Sequence, residues 1–250
     1  MRKLVAALAC RAGGSRLYGK PLQFLDIEKK LSVLEYMVQS LQTEPAISEI
    51  VLGVSVGSEN EPFHDMAKRL GLKSIRGDEI DVLSRLIQCG DAGNATDVFR
   101  VTTESPFVYF ETISEAWRLH QANANDVTHM SGLPAGCGFE MIRLESLKMA
   151  HARGEARHRS ELCTLYVKEH RDEFQVQVLE PTPECARLDL RLTIDYPEDL
   201  VLCRRVYDHL KELAPRIPVS RIVEFLDANP ETRKLVEPYS AGIRWYGETK

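Results

Sequence analysis

The residues best placed to do chemistry lie close together near the start of the chain, between residues 11 and 20. This stretch contains three glycines and three cations, and it follows an apolar run over residues 4–9. Glycines allow backbone N–H groups to turn toward a bound anion. The cations Arg11, Arg16 and Lys20 carry more positive charge than a single phosphate group requires. The stretch therefore predicts a loop that binds a polyphosphate; the alternative is a basic surface turn without a ligand.

Two carboxylates follow predicted strands farther along the chain. Glu104 comes after a predicted strand over residues 97–102, and Asp195 comes after another over residues 190–194. In open α/β sheets the carboxyl ends of parallel strands form the edge where ligands bind. We therefore expect Glu104 at the ligand-binding edge, and we expect Asp195 to be available to a metal ion.

The elements that must hold these residues alternate between strands and helices. Apolar runs of strand length are separated by segments in which apolar residues recur at helical spacing. This alternation predicts parallel pairing with right-handed crossovers. Ser32 and Asp81 are expected to cap the helices that follow them. Besides the two strands just given, we predict strands over residues 4–9, 49–55, 73–76 and 127–130, and helices over residues 33–41, 61–70, 111–120, 200–213 and 220–226.

The spacing in the first loop is not that of a Walker loop, nor does it contain a complete Gly-x-Gly-x-x-Gly pattern. It resembles the signature of the sugar-activating cytidylyltransferases, which include the CMP-Kdo and CMP-sialate synthetases and the spore-coat polysaccharide type. Their pattern is Arg-x-Gly-Ser-x-Arg-Leu-Pro-Gly-Lys-x-Leu. Gly14 stands where the pattern has Ser, and Tyr18 stands where it has Pro. The matching residues are Arg11, Gly13, Arg16, Leu17, Gly19, Lys20 and Leu22.

Further motifs follow in the order that the family has them. Glu104 replaces the Asp of an Asp-x-Pro motif, and Gly138 replaces the Asp of Pro-x-Gly-x-Asp-x-Glu. The other matching residues are Asp81, Val82, Leu83 and Arg85 of Asp-Val-Leu-x-Arg, Pro134, Gly136 and Glu140, then Glu161, Thr164 and Tyr166, and finally Thr193, Asp195, Pro197, Glu198, Asp199 and Leu200.

The resemblance implies an α/β fold with a Rossmann-like, mostly parallel sheet flanked by helices. One domain would span residues 1–250, with a small β-rich insert for acceptor binding and dimerisation at about residues 133–180. The implied activity is transfer of CMP from CTP to a small acidic acceptor, expected to be a sugar acid, with release of pyrophosphate. The implied cofactor is Mg²⁺, and the implied assembly is a homodimer.

The resemblance also implies roles for individual residues. Arg11, Arg16 and Lys20 would be the catalytic cations, and Glu104 and Asp195 would hold the metal ion. The nucleotide would contact Ala9, Arg11, Gly13, Gly14, Ser15, Lys20, Arg76, Asp81, Arg85 and Thr102. The acceptor would contact Glu140, Arg157, Arg159, Glu161 and Tyr166.

Simpler interpretations remain open at this point. Asp81 and Arg85 could form only a helix cap with an ion pair one turn apart. The basic residues 151–159 could be a solvated helix end instead of an anion site. The departures at Gly14, Glu104 and Gly138 favour, as an alternative function, a nucleotide-binding regulatory or scaffolding module that has lost turnover. The weakest alternative is a structural α/β domain whose loop is empty.

Composition narrows the remaining classes. A chain of 250 residues with 44% hydrophobic residues can build a core without disulfides. The net charge of −5 gives no support to a nucleic-acid-binding surface. Six cysteines without a Cys-x-x-Cys pair indicate reduced thiols, and the sequence has no apolar run of the roughly 20 residues that cross a bilayer. We therefore expect a cytoplasmic protein without nucleic-acid or membrane partners.

Overall fold

The computed structural model describes residues 2–240, which fold around a seven-stranded sheet. The strands are β1 (Leu4–Cys10), β2 (Phe24–Asp26), β3 (Leu31–Ser32), β4 (Ile47–Ser55), β5 (Lys73–Gly77), β6 (Asp97–Arg100), β7 (Val127–Met130), β8 (Glu140–Arg143) and β9 (Val176–Leu179). The helices are α1 (Val33–Gln42), α2 (Glu61–Arg69), α3 (Val82–Ala92), α4 (Ile113–Ala122), α5 (Leu144–Arg153), α6 (Leu165–Glu169), α7 (Pro197–Leu210), α8 (Val219–Ala228), α9 (Pro230–Lys234) and α10 (Glu237–Ser240).

The sheet is mostly parallel, as predicted. Its strand order is β5-β4-β1-β6-β8-β7-β9, and β5, β4, β1 and β6 run parallel to one another. The strand β8 runs antiparallel to both of its neighbours, whereas β9 lies parallel to β7 at the edge. The strands β2 and β3 form a separate antiparallel pair. The fold class expected from the sequence is confirmed.

Both faces of β1 are covered, which explains why its sequence is a continuous apolar run. Successive side chains of a strand point to opposite faces. Residues 4, 6 and 8 belong to an apolar cluster that includes side chains of α1, α7 and α8. Residues 5 and 7 belong to a second cluster that includes side chains of α3 and α5. The helices on the two faces therefore bury the strand that leads into the glycine-rich loop.

The predicted helix caps are present. Ser32 Oγ accepts a hydrogen bond from the Glu35 backbone N–H at 3.2 Å, and the Glu35 carboxylate accepts one from the Ser32 N–H at 2.9 Å. This reciprocal pair is a capping box, which satisfies two otherwise unpaired groups at the start of α1. Asp81 Oδ1 accepts from the Ser84 N–H at 2.8 Å at the start of α3.

One local prediction was wrong. Residues 190–194 do not form a strand; a single parallel bridge joins Ala135 to Arg191. The segment lies on the rim of the sheet instead, because the Ile194 N–H is bonded to the Glu104 carbonyl and the Arg191 side chain is bonded to two carboxylates.

Residues 133–180, where an insert for acceptor binding and dimerisation was expected, are partly built into the main sheet. They contribute β8 and β9 to the main sheet, and their other regular elements are α5, α6 and two short 3-10 helices. The apolar alternation over residues 174–178 places Phe174 and Val176 against the second apolar cluster, whereas Val178 of the edge strand β9 is 44% exposed. The dimerisation role that was expected of this segment stays a prediction.

Candidate active site

The loop after β1 is folded tightly on itself. The Gly19 N–H donates to the Ala12 carbonyl at 2.8 Å, and the Ala12 N–H donates to Asn60 Oδ1 at 2.7 Å. Gly19 has a φ of 59°, in the left-handed region that glycine adopts without strain. A Cβ atom at Gly14 would lie 2.5 Å from the Leu17 carbonyl oxygen. This loop therefore has no room for the serine that the related signature carries at Gly14.

The loop brings two of its cations onto Asp195. Lys20 Nζ donates to Asp195 Oδ1 at 2.6 Å, and Arg16 Nη2 donates to the same oxygen at 2.9 Å. The Arg16 guanidinium also lies over the Tyr196 ring, 5.0 Å from its centroid. Residues separated by more than 170 positions in the sequence thus meet at one carboxylate.

Asp195 is supported from behind by an arginine that the sequence analysis did not single out. Arg191 Nη2 donates to Asp195 Oδ2 at 2.7 Å, and the same guanidinium makes two bonds to Asp199, at 2.6 and 2.9 Å. Asp199 Oδ2 also accepts from the backbone N–H groups of Asp195 and Tyr196, which fixes the turn before α7. Burial alone would raise the pKa of Asp195, but its bonds to Lys20 and Arg191 lower it below the usual value.

Glu104 lies beside the segment that carries Asp195. The Ile194 N–H donates to the Glu104 carbonyl at 3.1 Å, and Ser105 Oγ donates to Thr193 Oγ1 at 3.1 Å. Burial raises the pKa of the Glu104 carboxyl group, while the nearby charge of Lys20 acts in the opposite direction. Asp195 adds to the rise, as a second carboxylate at short range does.

These residues line one cleft of about 480 Å³ at the carboxyl edge of the parallel strands. Of the predicted site residues, the cleft is lined by Ala9, Arg11, Gly13, Gly14, Ser15, Arg16, Lys20, Arg85, Thr102, Glu104, Glu161 and Asp195. Five basic side chains line it against three acidic ones, although the whole chain carries a net charge of −5. The cleft therefore favours anionic ligands.

Arg85 reaches the cleft from the buried face of α3. It turns away from Asp81, and its guanidinium donates to the carbonyls of Cys10 at 3.0 Å, Gly53 at 3.2 Å and Glu79 at 3.4 Å. Burial lowers the pKa of Arg85, and the positive charge of Arg11 lowers it further. Asp81 therefore caps α3 as expected, but Arg85 donates to backbone carbonyls instead of forming an ion pair with Asp81.

Two residues predicted to contact the nucleotide lie outside the cleft lining. Arg76 is exposed on β5 and pairs with Glu61 at 2.7 Å. Asp81 caps α3, and its second carboxylate oxygen lies 2.7 Å from His151 Nε2. Each of these two side chains is paired within the protein, and their roles at the nucleotide stay predictions.

Four of the five residues predicted to contact the acceptor also lie outside the cleft lining. Glu140 is fully buried and accepts from Thr164 Oγ1 at 2.7 Å. Arg157 pairs with Glu169, Arg159 donates to the His151 carbonyl at 3.3 Å, and Tyr166 stacks on His170 with ring centroids 4.1 Å apart. The basic cluster over residues 151–159 therefore makes contacts within its own segment and with α6, Asp81 and Glu173. Glu161 alone of the residues predicted for the acceptor lines the cleft.

Arg100 lines the cleft near the position where an acceptor was expected, and the sequence analysis missed it. Its Nη1 donates to Glu140 Oε2 at 3.1 Å, and its Nη2 donates to the Glu161 carbonyl at 3.0 Å. Arg100 and Arg191 share one signal in the sequence. Each is a charged residue inside a run otherwise suited to a buried strand, where burial requires a partner.

The carboxylates of the cleft could bind Mg²⁺ together with a phosphate ligand, but they do not form a complete metal site of their own. Within residues 2–240, no group of three or more His, Cys, Asp or Glu side chains is arranged to hold a metal ion. Glu104 and Asp195 line the same cleft, and Mg²⁺ is bound in proteins through one or two carboxylates together with waters and substrate phosphates. This donor set suits a metal ion that arrives with a phosphate ligand better than one held by protein ligands alone.

No helix of the described chain has the length and apolar character needed to span a membrane.

A loop of cations that meets Asp195 in a cleft also lined by Glu104, at the carboxyl edge of a mostly parallel sheet, suits an α/β protein of the nucleotidyltransferase type. A family model described as cytidylyltransferase matches residues 5–231 of the chain. The chain therefore belongs to the cytidylyltransferase family.

Individual relatives agree with this assignment. The chain is 26% identical over 233 residues to the spore coat polysaccharide biosynthesis protein SpsF of Bacillus subtilis, covering 92% of this chain and 97% of that protein. A cytidylyltransferase from Leptospira borgpetersenii serovar Hardjo-bovis has a similar structure, with a TM-score of 0.83, 20% identity and coverage of 93% and 97%. The structure of CMP:2-keto-3-deoxy-manno-octonic acid synthetase complexed with CTP matches with a TM-score of 0.63 and 14% identity, covering 83% of this chain and 99% of that one. These likenesses to solved structures concern the fold.

Proposed function

We propose that this protein is a Mg²⁺-dependent cytidylyltransferase that joins CMP from CTP to a small acidic acceptor and releases pyrophosphate. Membership of the cytidylyltransferase family supports the reaction type. The relative named for spore coat polysaccharide biosynthesis and the synthetase complexed with CTP support a sugar acid as acceptor and CTP as donor. The proposal places the product in the synthesis of a polysaccharide or another surface glycan.

One observation carries the proposal. Lys20 and Arg16 of the glycine-rich loop meet Asp195 at 2.6 and 2.9 Å, and the Asp195 segment is bonded to the backbone carbonyl of Glu104 in the loop after β6. Nucleotidyl transfer requires cations along the leaving β- and γ-phosphates, and carboxylates that hold a metal ion beside the reacting α-phosphate. Both kinds of group line the same cleft.

In the proposed reaction, an oxygen of the acceptor forms a bond to the α-phosphorus of CTP. The bond between that phosphorus and the oxygen bridging to the β-phosphate breaks, and its electron pair leaves with pyrophosphate. The acceptor hydroxyl loses its proton to solvent. Arg11, Arg16 and Lys20 would neutralise the negative charge that collects on the leaving group.

The carboxylates would orient the reacting phosphate. Glu104 and Asp195 would hold Mg²⁺, which supplies Lewis-acid polarisation of the phosphate when it is bound. The excess of basic side chains in the cleft supports an acceptor that carries its own negative charge. Arg100, held by Glu140 and the Glu161 carbonyl, is the cation that we assign to the acceptor side.

Pyrophosphate release tests the proposal directly. Purified protein is incubated with Mg²⁺, each of the four ribonucleoside triphosphates, and a panel of sugar acids, phosphorylated sugars, polyols and phosphonates. We expect release with CTP and an acidic acceptor only. Asp195→Asn should abolish it, since the change removes charge at nearly constant shape. Asp91→Asn is the matched control, because it removes an exposed carboxylate, which pairs with Lys148, by the same substitution.

The alternative function makes a different prediction in the same samples. A regulatory or scaffolding module would bind CTP in a calorimeter and release no pyrophosphate with any acceptor.

We also propose that the protein is a homodimer. Size-exclusion chromatography with light scattering measures the mass of the protein in solution and tests this. A monomeric mass would contradict the role in dimerisation that was expected of residues 133–180.

A further inference from the structure

The two oxygens of the Asp195 carboxylate have different kinds of partner. Oδ2 is bonded to Arg191 at 2.7 Å, and Oδ1 is bonded to both Lys20 at 2.6 Å and Arg16 at 2.9 Å. The carboxylate that would hold a metal ion is thus bonded to two of the cations that would bind the triphosphate.

The Arg191 contact belongs to the interior. The side chains of Arg191 and Asp199 are 3% and 1% exposed, and they are bonded to each other twice. Asp199 also accepts from the backbone N–H of Asp195, so that the carboxylate is held from behind by side chain and backbone together. This arrangement leaves Oδ1 as the oxygen that faces the cleft cations.

The contacts at Oδ1 belong to the loop. The Lys20 and Arg16 side chains are 17% and 47% exposed, and both reach Asp195 from the glycine-rich loop. The Arg16 side chain is half exposed, and ion pairs of exposed, long side chains are weakly held. The Lys20 side chain is largely buried, so its exchange requires a second anion inside the same cleft. Each cation can then exchange one anionic partner for another without leaving a buried charge unpaired.

We propose that Asp195 Oδ1 is an exchange point, at which Lys20 and Arg16 stay until a nucleotide triphosphate draws them onto its phosphates. In the nucleotide-free protein the two cations occupy the oxygen that would bind metal. When the triphosphate binds, they move to the phosphate oxygens and leave Oδ1 available. The inference rests on the proposed function, since that function supplies the triphosphate.

The proposed exchange predicts that Lys20 has opposite effects on metal affinity and on nucleotide affinity. Lys20 should oppose metal binding to the nucleotide-free protein, although it would favour nucleotide binding. Removing it takes a positive charge away from the metal-binding oxygen, and each close positive charge repels a divalent ion strongly. The same substitution should therefore strengthen metal binding and weaken CTP binding.

The test uses Mn²⁺, whose free concentration is measured by electron paramagnetic resonance, and full-length protein without nucleotide. We expect Lys20→Met to lower the dissociation constant for Mn²⁺ by about tenfold or more. Arg11→Met is the matched control. Arg11 lines the same cleft, and within the described chain no hydrogen bond or ion pair joins it to Asp195. We expect its substitution to change Mn²⁺ affinity much less.

Two further measurements complete the experiment. The double variant Lys20→Met with Asp195→Asn should not show the higher Mn²⁺ affinity expected of Lys20→Met alone. This result would locate the effect at the Asp195 carboxylate. A CTP analogue that cannot be cleaved between the α- and β-phosphates should tighten Mn²⁺ binding to the parent protein more than to Lys20→Met. Melting temperatures establish that every variant is folded.

The outcomes separate the two proposals. The exchange is overturned if Lys20→Met leaves Mn²⁺ affinity unchanged or lower, or if Arg11→Met raises it equally. If Mn²⁺ affinity rises in Lys20→Met and changes little in Arg11→Met, but the parent protein releases no pyrophosphate with any nucleotide, the exchange is supported and the proposed function is refuted.

Discussion

Replacing Arg191 by methionine is the most informative single perturbation of this site. The change keeps a long side chain but removes the guanidinium that bonds Asp195 and Asp199. Asp199 is 1% exposed, so its charge would remain buried with no arginine beside it. Removing one partner of a buried ion pair typically costs about 3–5 kcal/mol, chiefly because the other charge is left behind.

The size of the effect can be converted into a melting temperature. An unfolding entropy of about 2.1 cal/mol/K per residue gives about 0.5 kcal/mol/K for a chain of 250 residues. A loss of about 4 kcal/mol therefore lowers Tm by about 8 °C. Differential scanning calorimetry and urea unfolding measure the loss independently. Adding Asp199→Asn should recover part of it, because the second substitution removes the orphaned charge and keeps a side-chain oxygen that can accept from the Tyr196 N–H at the start of α7.

Arg187 provides a matched control. It also bridges two carboxylates, with bonds to Asp189 at 2.8 Å and to Asp227 at 2.6 and 2.9 Å, but its side chain is 24% exposed and both partners are about half exposed. Ion pairs open to solvent are worth roughly 0–1 kcal/mol, so Arg187→Met should lower Tm by about 2 °C or less. Equal losses for Arg187→Met and Arg191→Met would refute the reasoning, because burial would then not govern the cost.

Three further predictions concern the rest of the chain. Gly136→Ala should cost about 1–3 kcal/mol, since φ is 98° and a Cβ would lie 2.6 Å from the Thr193 nitrogen; Gly71→Ala, also at positive φ but with nothing within 4 Å, should cost less in the same urea titration. Glu104→Gln should reduce pyrophosphate release by about tenfold or more and raise the Mg²⁺ concentration required, and unchanged Mg²⁺ dependence would argue against Glu104 as a ligand. Burial alone would raise the pKa of Asp97, but bonds from its arginine and histidine partners outweigh burial and lower it to about 2. Because the folded pKa lies below the unfolded one, Asp97 stabilises the protein by about 2 kcal/mol near neutral pH, and this contribution is lost as pH falls from about 4 toward 2. The stability difference between the parent and Asp97→Asn should shrink over that range in urea unfolding, and a difference independent of pH would contradict the assignment.

Much of the fold was accessible from local patterns. The helix predicted over residues 33–41 begins at the capped residue and runs to Gln42, and the strand predicted over residues 127–130 has those bounds. Apolar periodicity and capping residues act within a few positions, so the sequence displays them directly. The antiparallel placement of β8 was not predicted, because strand direction depends on how distant segments pack.

The candidate site divides in the same way. The glycine-rich loop was visible as a cluster of residue types, and the structure brings its Arg16 and Lys20 to Asp195. Arg100 and Arg191 were missed because their meaning lies in partners that only the folded chain places nearby. The acceptor residues were inferred from the resemblance alone, and most of them lie outside the cleft lining. The roles of the residues that do meet in the cleft stay predictions until variants are measured.

The chain order of the two cleft walls has a consequence for the newly made protein. All seven strands of the main sheet end by Leu179, whereas the carboxylate that meets the loop cations comes later, at Asp195. On the ribosome, the entire sheet can therefore emerge before the second wall exists. A nascent chain that stops short of this point would lack Asp195 and also α7 and α8, whose side chains cover one face of β1. The cleft and the core on that face are therefore both completed only by the last part of the described chain.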